Sequence, residues 1–258
     1  MLEVIAKIES GAKLYDLERP ESDVDYYSVG LNTELKHIIG LDKFEHLIIQ
    51  NDEIDSTCME LRNFFNLCRK ANTSSYELLS APNDKFVRLD TKFRDLVLLE
   101  RHRFFTSKGL FKCLLGYANG EKRAMMGVTT AKLGEKRKKQ IDNFGYCSSN
   151  ACHLYRLLKT GIVFFTEGIY ITSFKEHDRK FHDLLFDIKT NPQNHDKDKL
   201  LLNAELLETT LKQVFDDRNT TKDLIFDEEY ANYAALQFYY PKLENFLKIP
   251  FDKSKQKT

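Results

Sequence analysis

The sequence predicts an α+β protein: a small sheet-and-helix core over residues 1–85, followed by a mainly helical part over residues 86–250. Two observations carry this. Runs rich in Val, Ile and Tyr fall in the first third of the chain, whereas apolar spacing of i, i+3, i+4 and i+7 dominates after about residue 86. No internal repeat divides the chain.

The elements follow in order. An apolar-rich start (Val4, Ile5, Ile8) leads through a glycine loop to a first strand, VDYYSVGL, from Val24 to Leu31. Residues 45–55 (EHLIIQNDEID) predict a second strand with a turn-prone Asn51-Asp52 inside it. Thr57 and Glu60 have capping-box spacing, and Leu61, Phe64, Phe65 and Cys68 form one helical face behind them. Asn72 to Ser75 break that helix, and Tyr76-Glu77-Leu78-Leu79 predicts a third short strand before Pro82. In the helical part, residues 106–126 place Leu110, Phe111, Leu114 and Leu115 on one side, and 148–158 do the same with Ala151, Leu154, Tyr155 and Leu158. Residues 162–172 predict a hairpin turning near Glu167-Gly168. A polar loop (191–199), a helix over 204–216 with Leu207, Leu211, Val214 and Phe215 on one face, and a polar, frayed tail from Lys253 complete the chain.

Composition narrows the function classes. The 258 residues carry 39 basic and 39 acidic side chains, so no global field draws the protein to nucleic acid or membrane. No apolar run is long enough to cross a bilayer, and the start has no basic-then-apolar signal pattern, so a cytoplasmic location is expected. Five cysteines without CxxC or zinc spacing read as reduced thiols. Walker A, GxSxG and HExxH patterns are absent.

The informative stretch is GAKLYDLERPESDVDYY, residues 11–27. On a strand, Asp23 and Asp25 project from one face, about 6.6 Å apart along the chain. If their oxygens approach to about 4 Å, the repulsion costs about 4 kcal/mol at an effective dielectric near 20. A divalent cation, Mg²⁺ (or Mn²⁺), removes that cost and keeps waters that a substrate phosphate can replace. An exposed acidic strand edge is the rival reading of these two residues alone. Gly11 sits upstream in a loop, where a missing Cβ lets backbone N–H groups approach a phosphate.

Gly11-Ala12, Tyr15, Pro20 and Ser22-Asp23-Val24-Asp25 resemble the signature of the DNA polymerase β nucleotidyltransferase superfamily. They are most similar to its branch of predicted nucleotidyltransferases, including those associated with RNA repair in bacteria and phages. That branch reads roughly Gly-Ser-x-x-Tyr-Gly-Thr-x-x-Pro-x-Ser-Asp-x-Asp, and the spacing matches without a gap. IDSTCMELRNF, NTSSYELL, GYA (116–118), GEKR (134–137) and HLYRLL (153–158) resemble later blocks, so similarity runs over about residues 5–190. The first block is the specific part.

The resemblance implies transfer of a nucleoside monophosphate from an NTP to a hydroxyl on an RNA end, a protein or a small molecule. It implies that Asp23 and Asp25 bind metal and that a third carboxylate completes the site. Glu77 is the preferred third carboxylate and Asp55 the other candidate. The ordinary alternatives are an exposed strand residue for Glu77 and a charge at a helix N-terminus for Asp55. Gly11, Ala12, Tyr15 and Ser22 fall in the nucleotide loop. His153 and Arg156, three apart on a helix with Asn150 one turn back, are candidates for the nucleotide or acceptor. Of the basic run Lys132, Lys136, Arg137, Lys138 and Lys139, the resemblance singles out Lys136 and Arg137. Two departures matter: Ala12 replaces a serine hydroxyl, and Asp16 replaces a glycine and adds a negative charge where phosphates are expected. A second reading follows from them, a catalytically decayed nucleotidyltransferase fold that binds nucleic acid or protein.

Overall fold

The computed structural model describes residues 2–20, 22–43, 45–50, 54–128, 134–218 and 223–248. Five strands, β1 (Leu2–Glu9), β2 (Val24–Asn32), β3 (His46–Gln50), β4 (Ile54–Glu60) and β5 (Phe86–Leu89), form one sheet in the order β3-β4-β2-β1-β5. Neighbours are antiparallel except β2 and β4, which run parallel. The helices are α1 (Gly11–Leu14), α2 (Leu35–Ile38), α3 (Leu61–Arg69), α4 (Thr73–Ser80), α5 (Thr91–Phe93), α6 (Ser107–Met125), α7 (Glu135–Phe144), α8 (Ser148–Glu167), α9 (Arg179–Thr190), α10 (Lys197–Asp216) and α11 (Glu228–Leu247). The α+β expectation therefore holds. The sheet takes its edge strand β5 from just beyond residue 85.

Tyr27, Val29 and Leu31 alternate along β2, so they share one face, and all three are buried in a core with Phe64 and Phe65 of α3 and Leu78 of α4. That core continues without a break into the helical part. α8 runs through its middle, and at Gly161 an added Cβ would fall 2.8 Å from the side chains of Leu114 (α6) and Leu211 (α10). The missing side chain lets the three helices close up, and Phe111 and Phe215 stack beside them with centroids 3.8 Å apart.

Several local expectations are corrected. Residues 45–55 are not one strand: β3 and β4 pair antiparallel, and Asn51 and Asp52 lie outside the described residues. Thr57 lies inside β4, and the cap of α3 is Glu60, whose carboxylate accepts from the Arg62 and Asn63 N–H groups. Tyr76 to Leu79 belong to helix α4, because Asn72 caps it by accepting from the Ser75 N–H, 3.2 Å, and Ser75 to Leu79 are all buried. The hairpin near 162–172 is instead the end of α8, closed by Gly168 at φ 75° with its N–H on the Phe164 carbonyl. Val163, Phe164 and Phe165 are all buried in succession, so this part of the helix shows no polar stripe and its apolar run mimics a strand. Helix α10 begins at Lys197, capped by Asp196, inside the segment read as loop. The tail from Lys253 lies outside the described residues.

Helix α11 closes the fold over the sheet. Tyr239 donates to the buried Glu60 carboxylate and accepts from the Asn32 N–H, 3.2 Å. Pro241, inside the helix, has no N–H for the Gln237 carbonyl four residues back, and Lys92 Nζ donates to that carbonyl instead. No helix among the described residues is long and apolar enough to cross a membrane.

Candidate active site

The site begins where β1 turns into β2. The Ser10 N–H donates to the Asp25 carbonyl, 2.9 Å, and holds the short helix α1 against the start of β2. Gly11 has φ +59°, and a Cβ there would lie 2.0 Å from Asp25 Oδ2. Only a glycine leaves room for that carboxylate. Across the parallel ladder, Asp25 pairs with Asp55 at the start of β4, so the two side chains leave the same face of neighbouring strands, about 4.8 Å apart. Desolvation, then the charges of Asp55 and Asp23, push the Asp25 carboxyl above its ordinary pKa, against a smaller pull from Lys189.

Among the described residues, no three His, Cys, Asp or Glu side chains close into a metal cluster. What is present is an open set of hard oxygens held together against their repulsion. That suits Mg²⁺ or Mn²⁺, which is commonly held by one or two carboxylates plus water and substrate phosphate.

Beside the aspartates lies a cavity of about 450 Å³. Gly11, Ala12 and Tyr15 line it from the α1 turn, and Ser22, Asp23 and Asp25 from the entry to β2. Five cations face it: Arg19, Lys136 and Arg137 from α7, Arg156 from α8 and Lys189 from α9. Leu17, Gly134, Gln140, Ser149, Cys152 and His153 make up a more neutral portion. Burial, then the charges of Arg156, Lys189 and Arg137, lower the His153 imidazole to about 3, so it is neutral near pH 7.

Glu77 is placed differently. It is buried, and its Oε1 accepts from Tyr15 Oη at 2.9 Å and from Arg156 at 3.0 Å. The Arg156 guanidinium lies over the Tyr15 ring, 3.7 Å from the centroid, with its Nε buried and without a hydrogen-bond partner among the described residues. Glu77 thus sits under the cavity as an anchor for two residues that line it, and the carboxylate beside Asp25 is Asp55. Residue 77 is on helix α4, not on a strand, and residue 55 is near the start of strand β4, not at a helix N-terminus.

The two departures from the motif also acquire a physical reading. Asp16 has φ 54°, a left-handed conformation that favours glycine and that Asp tolerates. Its carboxylate turns to Lys85, 2.8 Å, and does not line the cavity. Desolvation works to raise its pKa, but hydrogen bonds from Lys85 and Ser173 outweigh it and hold the carboxyl low. Ala12 remains in the lining, without the hydroxyl. His182 Nε2 donates to the Asp16 carbonyl, 2.9 Å, and Lys189 Nζ to the Leu17 carbonyl, 2.7 Å, so α9 ties down this loop.

A second cavity, about 260 Å³, opens on the other side of Asp25 and is lined by Ser10, Tyr26, Tyr27, Asp55, Thr57 and Ser74 with Asp25 itself. Its described lining is made of hydroxyls, a phenyl-ring face and the Asp25 and Asp55 carboxylates, and Lys7 Nζ lies over the Tyr26 ring, 3.7 Å from its centroid. Among the described residues, Asp25 is the one that lines both cavities.

The structure therefore gathers Gly11, Ala12, Tyr15, Ser22, Asp23, Asp25, Lys136, Arg137, His153 and Arg156 around one cavity, with Asp55 adjacent and Glu77 beneath. Asn150 is buried away from it, donating to Glu121 at 2.6 Å. Lys138 and Lys139 are exposed and outside the lining, and Lys132 lies outside the described residues. Arg19, Gln140, Ser149, Cys152 and Lys189 were missed. Arg19 was within reach, since it stands in the motif loop. Lys189 has no local signal and arrives only through the packing of α9.

The RlaP family model, described as an RNA repair pathway DNA polymerase beta family, matches residues 1–232. No curated protein sequence matches the chain.

Proposed function

The chain belongs to the RNA repair pathway DNA polymerase beta family, and we propose that it is a metal-dependent nucleotidyltransferase moving an NMP from an NTP to a hydroxyl acceptor. The family description favours an RNA end as that acceptor. The observation carrying the reading is that a cavity faced by five cations and one lined by hydroxyls and carboxylates meet at Asp25. The first suits a triphosphate. The second suits an uncharged hydroxyl-bearing group.

Within this reading, Arg19, Lys136, Arg137, Arg156 and Lys189 hold the phosphates, and the backbone of Gly11 and Ala12 approaches them closely. Glu77 fixes Arg156 and Tyr15 in place. An ion held by Asp23 and Asp25 would offset their charge and polarise the reacting phosphate. The acceptor oxygen bonds to the α-phosphorus, the bond to the bridging oxygen breaks, and pyrophosphate leaves toward the cationic wall. The acceptor proton passes toward the Asp55 carboxylate. The rival reading, a decayed binding module, drew on Ala12 and Asp16. The turn of Asp16 toward Lys85 weakens it, because that charge is spent outside the cavity.

Calorimetric titration of each of the four NTPs, with and without Mg²⁺, tests this on wild type and on the Asp23→Ala/Asp25→Ala double variant. Metal-dependent binding that disappears in the double variant is expected. If no NTP binds wild type, the binding-module reading takes over.

A further inference from the structure

The cavity beside the aspartates changes character along α8. Ser149, Cys152, His153 and Arg156 share the helix face that lines it, and at 1.5 Å per residue they cover about 10 Å. Arg156, at one end, rests on Tyr15 and Glu77. Toward the start of the helix the α8 lining is uncharged near pH 7: burial pushes the Cys152 thiol up to about 12 and lowers His153 to about 3. Helix α7 adds Gln140 to the same lining, one turn after Lys136 and Arg137. The Gln140 amide is held one way round. Cys147, fully buried at the N-cap of α8, donates its thiol proton to Gln140 Oε1, 3.2 Å. A thiol sulfur accepts only weakly, so the amide turns its oxygen to Cys147 and leaves its Nε2 protons for the cavity.

Resting on the reading of this cavity as an NTP site, we propose that Gln140 selects the base, donating from Nε2 to a carbonyl oxygen and so favouring the keto bases uracil and guanine over cytosine and adenine. Uracil O4 and guanine O6 accept a hydrogen bond, whereas cytosine N4 and adenine N6 donate one. A donor set against a donor leaves two desolvated groups unpaired, which costs more than an ordinary pairing contributes. Ser149 donates or accepts, and the neutral His153 does both through its two ring nitrogens, so each adapts to any base. Gln140 differs from them because its polarity is fixed from outside the cavity. Cys147, which does not line the cavity, acts through Gln140 as a positioning residue.

The test is the ratio of dissociation constants among UTP, GTP, CTP and ATP, each titrated calorimetrically with Mg²⁺ into the full chain. The better of UTP and GTP should bind wild type about 10-fold more tightly than CTP or ATP. Gln140→Glu exchanges the Nε2 donor for an acceptor on a helix whose described side chains all stay at least partly exposed, so the core is untouched. It should move the preference to the amino base of the same ring size, from UTP to CTP or from GTP to ATP. Cys147→Ala frees the amide to turn and should narrow the ratio to about 3-fold or less, whereas Cys147→Ser keeps a donor and should preserve it. Equal affinity for all four NTPs, a preference for CTP or ATP in wild type, or a ratio that Cys147→Ala leaves intact would overturn this proposal alone. So would a Gln140→Glu that weakens all four alike, as a charge beside the phosphates does. If wild type binds no NTP, the nucleotide reading of the site fails and this proposal falls with it.

Discussion

Glu77 and Asp25 are both carboxylates withdrawn from water, yet their surroundings are opposite. Glu77 receives a phenol and a guanidinium, so its charge is satisfied within the fold. Asp25 faces Asp55 and Asp23, which repel it, and a glycine is required merely to make room for it. A paired buried charge holds structure together, and breaking such a pair is costly. Carboxylates gathered against their own repulsion lower stability and imply a ligand that compensates. Residue type alone does not distinguish these roles; the neighbours do.

Substitutions should separate the two cases. The largest expected effect is at Asp25. Asp25→Asn should reduce nucleotidyl transfer by roughly 10³-fold or more, since a proposed metal ligand is lost. The same variant should be more stable than wild type without metal. A carboxyl whose folded pKa is raised contributes stability below its unfolded pKa and loses it as pH rises through the folded value. The gain in melting temperature of Asp25→Asn should therefore be present at pH 7 and shrink below pH 4.

Glu77→Gln should invert that pattern. With Arg156 left buried beside a neutral partner, a loss of about 3 kcal/mol is expected, or roughly 6–12 °C in melting temperature, together with weaker NTP binding. Asp55→Asn should raise the melting temperature slightly, by relieving its repulsion of Asp25, while lowering kcat by roughly 10²-fold. If Asp55→Asn instead destabilises the fold and Glu77→Gln abolishes kcat at unchanged stability, the two roles are reversed.

Lys189→Ala should weaken every NTP by about 10-fold, near 1.4 kcal/mol, without regard to base, as a phosphate contact does. Arg137→Ala, on an exposed rim, should give a smaller loss that fades as salt rises. The smallest effect concerns His153. Its pKa of about 3 leaves it neutral throughout pH 5–8, so its imidazole NMR signals should not titrate in that range. Because the folded pKa is depressed, its stability contribution is complete above about 6.5 and lost as pH falls toward 3.

Much of the site was legible in the sequence because it is local: Gly11, Ser22, Asp23 and Asp25 fall within fifteen residues and keep a strict spacing. The helices α3, α6 and α10 were legible in large part because each has a polar face to contrast with its buried one. Glu77 was misassigned because Tyr-Glu-Leu-Leu alternates like a strand, whereas Asn72 had already started a helix. The end of α8 misled for the opposite reason, since burial on all sides erases periodicity. That Asp55 lies beside Asp25 follows only from the pairing of β2 with β4, which is a tertiary fact. Lys189 was invisible for the same reason.

That last residue bears on how the site comes into being. Lys189 holds the Leu17 carbonyl across 172 positions of chain. At synthesis rates of 5–20 residues per second, roughly 10–35 s separate the emergence of the glycine turn from that of the lysine that secures it. A nascent chain presents its aspartates well before its cationic wall is complete. The proposed grip on a triphosphate is thus among the last properties acquired, and a chain stalled in the middle of α8 should hold a formed sheet that retains no nucleotide.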